Sequence, residues 1–271
     1  LVRTILKEMN IIQMIGGIGN QMFQYALYRK FLELGVETKY EHLRTEKYHN
    51  GFVLDKVFNI FEQPINSLEE ADSLIRYQEQ TWPKFNPEIL NKRETYLCGN
   101  WQNTGYFPDY TLLKVDLSFK NELDKKNLEI LKQIDESLSV SIHIRKGDYT
   151  TMPGYFFQAD WMNYYGLAVS SVTKKIGQKP TFFIFSDDIE WAKKNTFAAN
   201  RVFVEQNKGF DSWKDMMLMS HCKHNITANS TFSWWAAWLN KNPEKIITTP
   251  KRWFLDKTDS NLITLNEWIK I

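Results

Sequence analysis

From Asp124 onward the sequence alternates short aliphatic and aromatic runs with amphipathic stretches, and this alternation restricts the fold more than any other feature of the chain. A charged helix running to Ser137 is followed by a strand from Val140 to Ile144, a helix from Trp161 to Ile176, a strand from Thr181 to Phe185 and a helix from Ile189. A strand from Arg201 to Val204, a helix from Ser212 to Ser220 and a short strand from Asn225 to Thr227 come next. A helix from Phe232 to Leu239 and a strand from Lys245 to Thr248 complete the series. Strands separated by helices return in the same direction, so the pattern predicts a parallel sheet covered by helices on both faces. Such sheets bind ligands outside the carboxyl ends of their strands.

The first half is less regular. An apolar run from Asn10 to Ile15 leads through Gly16-Gly17-Ile18-Gly19 into a helical pattern with Met22, Phe23, Ala26, Leu27, Phe31 and Leu34 on one face, closed by Gly35. Between Glu41 and Gly105 the periodicity is weak, although Glu94 to Cys98 reads as another strand. A chain of 271 residues exceeds the usual single core, domains of about 100 to 150 residues being commonest, so two domains are expected. The change of texture divides them as residues 1–130 and 131–271. Leu1 to Glu8 lacks a Met and carries three charges, so Met9 reads as a start and the preceding residues as an extension outside the fold.

Composition excludes several classes. The 34 basic and 32 acidic residues leave a formal charge of +2, which points to neither nucleic acid nor an acidic membrane surface. Cys98 and Cys222 are too far apart in context for a disulfide framework, and they fit a reducing cytoplasm. No apolar run approaches the roughly eighteen residues of a membrane span, so a soluble chain is expected. Aromatic residues make up 15% of the chain, and their faces suit sugar rings as well as cores, with the core as the expected role for most.

Three strand ends carry polar residues that would open onto one rim. In Ser141-Ile142-His143-Ile144-Arg145-Lys146-Gly147-Asp148-Tyr149, period-two alternation puts His143 and Arg145 on the same side, and Gly147 allows a turn that brings Asp148 back. An Arg at a strand end can grip a diphosphate through its planar fork, where a surface Arg–Asp pair and a buried His are the plainer reading. In Thr227-Ala228-Asn229-Ser230-Thr231-Phe232, polar residues precede an apolar helix, so free N–H groups and hydroxyls collect at its positive end, as they also do at any ordinary N-cap. Phe185-Ser186-Asp187-Asp188 ends a strand with carboxylates suited to ribose hydroxyls, a guanine edge or a helix cap. The glycine turn at Gly16 departs from the dinucleotide fingerprint, because Met22 stands where the last Gly belongs. Its glycines instead let the backbone approach a ligand, with the Asn20 and Gln21 amides as donors and acceptors.

Four segments resemble glycosyltransferase family 11, which contains the bacterial α-1,2-fucosyltransferases. They are Gly16 to Ala26 (GGIGNQMFQYA), Ser141 to Tyr149 (SIHIRKGDY), Phe185 to Asp188 (FSDD) and Trp213 to Leu239 (WKDMMLMSHCKHNITANSTFSWWAAWL), in order along a similarity from Asn10 to Trp268. The resemblance implies an α/β fold of GT-B type, two Rossmann-like domains facing each other across a cleft. Residues 1–130 would form the acceptor side and residues 131–271 would hold GDP-fucose. The implied reaction is inverting transfer of L-fucose from GDP-β-L-fucose to the 2-hydroxyl of a terminal galactoside. By the same resemblance Arg145 contacts the pyrophosphate, His143 supports it, and Asn229, Ser230, Thr231 and Phe232 line the site. Asp187 would sit toward the nucleoside, and Asn20 in the opposing domain would reach the donor or acceptor side; Gly17, Gly19 and Gln21 of the same turn are read with it as donor-binding. Asp148 is nominated as catalytic base, or as the group orienting Arg145.

No metal or other cofactor is expected, because adjacent aspartates replace the Asp-x-Asp of metal-dependent transferases. His221, Cys222 and His224 sit at a helix end where only one or two could converge, which argues against zinc. The implied partners are GDP-fucose and a galactose-containing oligosaccharide or glycolipid, with no nucleic acid and at most a loose peripheral association at the inner face of the membrane. Two other classes stay open at this stage: a nicotinamide-dependent sugar-nucleotide oxidoreductase and a non-catalytic glycan-binding protein.

Overall fold

The computed structural model describes residues 9–46, 50–146, 161–195, 198–254, 256 and 258–271. The chain divides into two compact units, Leu1–Asn121 and Glu122–Ile271. The boundary expected at residue 130 falls inside a helix, Lys125–Asp135, that belongs wholly to the second unit. The texture of the sequence changes at that helix, but its start is fixed by contacts further along the chain. Asp124 caps it, accepting from the Asn127 N–H at 3.2 Å, and pairs with Lys214 at 2.9 Å.

In the first unit, β1 (Asn10–Gln13), α1 (Ile18–Glu33), β2 (Thr38–Glu41), α2 (Leu54–Val57), α3 (Leu68–Asp72), β3 (Ile75–Gln78), β4 (Thr95–Cys98) and α4 (Tyr110–Asp116) follow one another. The strands form a parallel sheet in the order β2-β1-β4-β3. Helix α1 is buried around most of its circumference, including Gln21, Gln24, Tyr25 and Tyr28, while Leu34 just past its end is exposed. The single apolar stripe expected from sequence was therefore too narrow, and Leu34 did not belong to it.

The second unit contains α5 (Lys125–Asp135), β5 (Ser139–Ile144), α6 (Trp161–Ile176), β6 (Thr181–Ser186), α7 (Ile189–Lys194) and β7 (Arg201–Val204). It continues with α8 (Trp213–His221), β8 (His224–Ile226), α9 (Thr231–Leu239), β9 (Ile247–Thr249) and β10 (Ile269–Lys270). Its strands are all parallel, in the order β10-β9-β8-β5-β6-β7. Two α/β units, each with its own parallel sheet, form the GT-B class of fold expected from the sequence.

Alternation along β5 divides it between two environments. Val140, Ile142 and Ile144 enter one apolar cluster with Tyr164, Tyr165, Ala168 and Val172 of α6. Ser141 and His143 face the other way, where Ser141 Oγ accepts from Asn225 Nδ2 at 2.8 Å and the His143 ring lies 5.4 Å from that of Phe232. Among the described residues, no helix is long and apolar enough to cross a membrane.

A polar network ties α5 to α8. Asn207 Nδ2 donates to Asn127 Oδ1 at 2.8 Å and to Asp215 Oδ1 at 2.7 Å. Burial pushes the Asp215 carboxyl up from 3.8 to about 7, against a smaller lowering by Asn207. Between those values the folded chain holds a proton that the unfolded chain has released, so this group favours folding at low pH and loses that contribution as pH rises to about 7. Asp215→Asn keeps an acceptor for Asn207 and removes the titration. Its Tm relative to the wild type should rise by several degrees between pH 5 and pH 8, since about 1 kcal/mol moves Tm by roughly 2–4 °C at this size. Parallel Tm curves for the two chains across that range would contradict the assignment.

Candidate functional site

The order of the strands locates a crevice. From β5 the chain moves outward through β6 to β7, then returns to the opposite flank of β5 as β8 and continues to β9. The direction reverses between β5 and β8, with α6 packed on one face and Phe232 of α9 on the other. Open parallel sheets bind ligands at this reversal, outside the carboxyl ends. The ladders open there as well: β5 stays paired with β6 as far as Ile144 opposite Ser186, whereas its pairing with β8 stops at Ile142 opposite Ile226.

The β5 side of this crevice carries His143, Arg145 and Lys146. His143 is buried, and among the described residues its Nδ1 has no hydrogen-bond partner. Burial, reinforced by the positive charge of Arg145, lowers its pKa to about 3, so the imidazole is neutral at ordinary pH and does not exchange protons there. Arg145 is partly exposed and pairs through Nη1 with Asp187 Oδ2 at 3.0 Å, while the Lys146 N–H donates to Asp187 Oδ1 at 2.9 Å. One carboxylate at the end of β6 thus holds both the guanidinium and the main chain beside it. Lys146 Nζ pairs with Asp188 at 3.1 Å and lies 5.4 Å from the centroid of the Trp191 ring. Asp188 also caps α7 by accepting from the Trp191 N–H at 3.0 Å.

On the β8 side, Ser230 is the N-cap of α9, yet its hydroxyl makes no capping bond. The first-turn N–H groups of a helix have no intrahelical acceptors, so this end presents donors and the positive pole of the dipole. Asn229 is buried, and its Nδ2 donates to the Trp253 carbonyl at 3.0 Å, fixing the approach to the helix. Thr231 and Phe232 remain partly accessible. Behind them Trp234, Trp235 and Trp238 are buried against one another and Trp268, which makes them core residues.

The sheet therefore brings His143, Arg145, Asp187 and Asn229 to Phe232 onto the carboxyl ends of three neighbouring strands, β8, β5 and β6. Asp148, like Gly147, lies outside the described residues. Sequence reasoning missed Lys146 as a partner and Asp187 as the anchor of Arg145. The sequence places Asp187 at a strand end, but that this strand lies beside β5 comes only from the sheet order.

In the first unit the strand order reverses between β1 and β4. Gly16 adopts φ +87°, which accounts for a glycine there, and a side chain at Gly17 would meet open space. Gly19 is buried. Asn20 Oδ1 accepts from Gln102 Nε2 at 2.9 Å, and Gln102 Oε1 accepts from the Trp82 indole at 3.1 Å. Gln21 is fully buried and braces the turn, donating to the Gly16 and Gly51 carbonyls at 2.8 and 2.9 Å and accepting from the Val53 N–H at 3.1 Å. Gln24 does similar work with Ile15 and Gly99; it lies in the Gly16 to Ala26 segment but was given no role there, and Gln102 was marked by no pattern in the sequence.

Among the described residues, no three metal-binding side chains converge. At the helix end that carries His221, Cys222 and His224, Cys222 is fully buried and His224 Nδ1 accepts from the Ile246 N–H at 3.0 Å.

The sequence profile described as "Glycosyl transferase family 11" matches residues 2–271. The chain belongs to glycosyltransferase family 11. It is 32% identical to the O-antigen biosynthesis glycosyltransferase WbnK of Escherichia coli over 94% of this chain and 98% of that protein. It is also 32% identical to an α-1,2-colitosyltransferase of Escherichia coli over 90% and 92% of the two chains. Galactoside α-(1,2)-fucosyltransferase 1 of Homo sapiens is 29% identical over 49% of this chain and 38% of its own. The fold resembles that of the α-1,6-fucosyltransferase NodZ, with a TM-score of 0.51 at 12% identity over 85% and 91% of the chains. This protein is a glycosyltransferase, and its family and structural neighbours include fucosyltransferases.

Proposed function

We propose that this family 11 glycosyltransferase transfers L-fucose from GDP-β-L-fucose, with inversion, to the 2-hydroxyl of a terminal galactoside, forming an α-1,2 linkage. The observation that carries the reading is the arrangement of Arg145 and the start of α9 on the two sides of the β5–β8 opening. A guanidinium and a set of helix N–H groups suit a departing diphosphate. The acceptor hydroxyl attacks the anomeric carbon opposite GDP, the glycosidic bond to phosphate breaks, and the negative charge passes to the diphosphate. Arg145 and the first turn of α9 stabilise that charge, and Asp148 takes the hydroxyl proton. Neutral His143 supports the phosphate side without titrating. Asn20, beside the glycine turn, serves the donor or acceptor. No metal takes part in this scheme, and the chain works in the cytoplasm.

The α-1,2-colitosyltransferase among the relatives favours a second reading in which the donor sugar is colitose. A GDP-release assay with GDP-fucose and GDP-colitose against a panel of β-galactosides, followed by linkage analysis, separates the two. Turnover of GDP-fucose to an α-1,2 product is expected. Exclusive use of GDP-colitose would select the second reading, and binding of NADH without GDP release would sink both. EDTA should leave the rate unchanged, and inhibition reversed by manganese would contradict the metal-free scheme. Asp148→Asn should lower turnover by about 10²–10⁴, the usual contribution of a general base. Retention of most activity would remove Asp148 from that role.

A further inference from the structure

Two adjacent tyrosines of α6 meet the main chain at both sides of the crevice. The last paired residues of β5 and β8 are Ile142 and Ile226, so the two strands part at His143 and Thr227. Each tyrosine holds one of those strand ends by its carbonyl: Tyr165 Oη donates to His143 O at 2.8 Å, and Tyr164 Oη donates to Thr227 O at 2.6 Å on the flank of β8 that faces β9, where the Thr227 N–H donates to Thr248 O at 2.9 Å. Both phenols are buried and their rings touch, with centroids 4.8 Å apart. Residues side by side on a helix diverge by about 100°, which lets one turn of α6 reach two neighbouring strands. Buried phenol hydroxyls need partners, but partners at two matched positions on different strands do more than satisfy that need.

We propose that Tyr164 and Tyr165 are positioning residues for the donor diphosphate, tying the ends of β8 and β5 to one turn of α6 and so fixing the width of the crevice between them. The proposal rests on the donor reading above. From His143 the chain runs two residues to Arg145, and from Thr227 it runs three to the cap of α9, so the separation of those carbonyls sets how the two diphosphate-binding groups converge. The tyrosines act through the main chain and touch neither the sugar nor the phosphates.

The test uses Tyr164→Phe, Tyr165→Phe and the double variant of the full chain, which remove the hydroxyls and keep the rings. GDP affinity by calorimetry and the KM for each substrate are measured alongside Tm. The double variant should bind GDP about tenfold more weakly, as expected for two lost hydrogen bonds, with donor KM rising in step and acceptor KM unchanged. Each single variant should lose about threefold, which keeps the test open if the double variant does not fold. Tyr25→Phe is the control for a merely structural phenol. Its hydroxyl donates to Asp116 at 2.9 Å and accepts from the Phe61 N–H at 2.9 Å in the first unit, so it should lower Tm and leave GDP affinity as it was. GDP affinity within twofold of wild type in the folded Tyr164 and Tyr165 variants overturns the inference. A wild-type chain that binds no GDP overturns the donor reading beneath it.

Discussion

Arg145→Ala should reduce kcat with the sugar-nucleotide donor by about 10²–10³ while leaving the fold intact, the loss of one preorganised donor to a developing anion typically raising the barrier by roughly 2.7–4 kcal/mol. The two halves of that expectation come from different parts of the structure. Arg145 is a third exposed and its described ion partner is Asp187, itself partly exposed, so the pair adds little to folding. Its position after the last residue of β5, beside the opening of the ladder, is what would make it matter for catalysis. Arg145→Lys should recover only part of the rate, because an ammonium cannot hold two phosphate oxygens in one plane. Asp187→Asn should fall between the wild type and Arg145→Ala, since the amide still accepts from the Lys146 N–H but no longer fixes the guanidinium by charge. Steady-state rates together with thermal melts decide the matter. Turnover near the wild-type level in Arg145→Ala would remove Arg145 from the transition state, and a collapsed melting transition would show a structural residue instead.

The sheet of the second unit was legible because its central strands are buried on both faces. Phe182 to Phe185 therefore reads as an apolar run between helical patterns, and Val140, Ile142 and Ile144 read as the apolar half of an alternating one. In the first unit the same physics hid two strands. Strand β2 reads Thr-Lys-Tyr-Glu, and nothing in those letters announces burial. Glu41 is nevertheless fully buried, because its carboxylate accepts from the Arg44 N–H at 2.7 Å and from Tyr96 Oη at 2.8 Å. Strand β3 is an exposed edge in which Ile75 faces solvent, so it lacks the alternation that marks a half-buried strand. Site residues divide the same way. His143, Arg145 and the Asn229 to Phe232 cluster could be found because unusual residue types stand at the ends of readable strands. The anchoring of Arg145 by Asp187 and the hydroxyls of Tyr164 and Tyr165 could not, because each depends on which strands are neighbours, and the order of strands in a sheet is not written in local periodicity.

The largest stability effect is expected at Trp234, which also bears on whether the tryptophans of α9 serve packing or sugar. Trp234 is fully buried, stands edge-on to Trp235 at 5.0 Å, packs on Trp268 at 5.4 Å, and donates its indole N–H to the Ile263 carbonyl at 2.7 Å. Trp234→Ala would empty a large volume between α9 and the segment leading to β10 and leave that carbonyl without its donor. Truncations of this kind cost about 3–5 kcal/mol, with roughly 1 kcal/mol or more for an abandoned buried polar group. Against a total stability of about 5–15 kcal/mol, the variant should be close to unfolding at growth temperature, with a denaturant midpoint far below the wild type. Trp234→Phe should restore much of the loss by refilling the space, but not the bond to Ile263. If the tryptophans were a platform for sugar rings, the pattern would invert: Trp234→Ala would melt with the wild type and lose only glycan affinity. A fully buried ring has no face to offer a ligand, so the denaturation midpoint is the measurement expected to move.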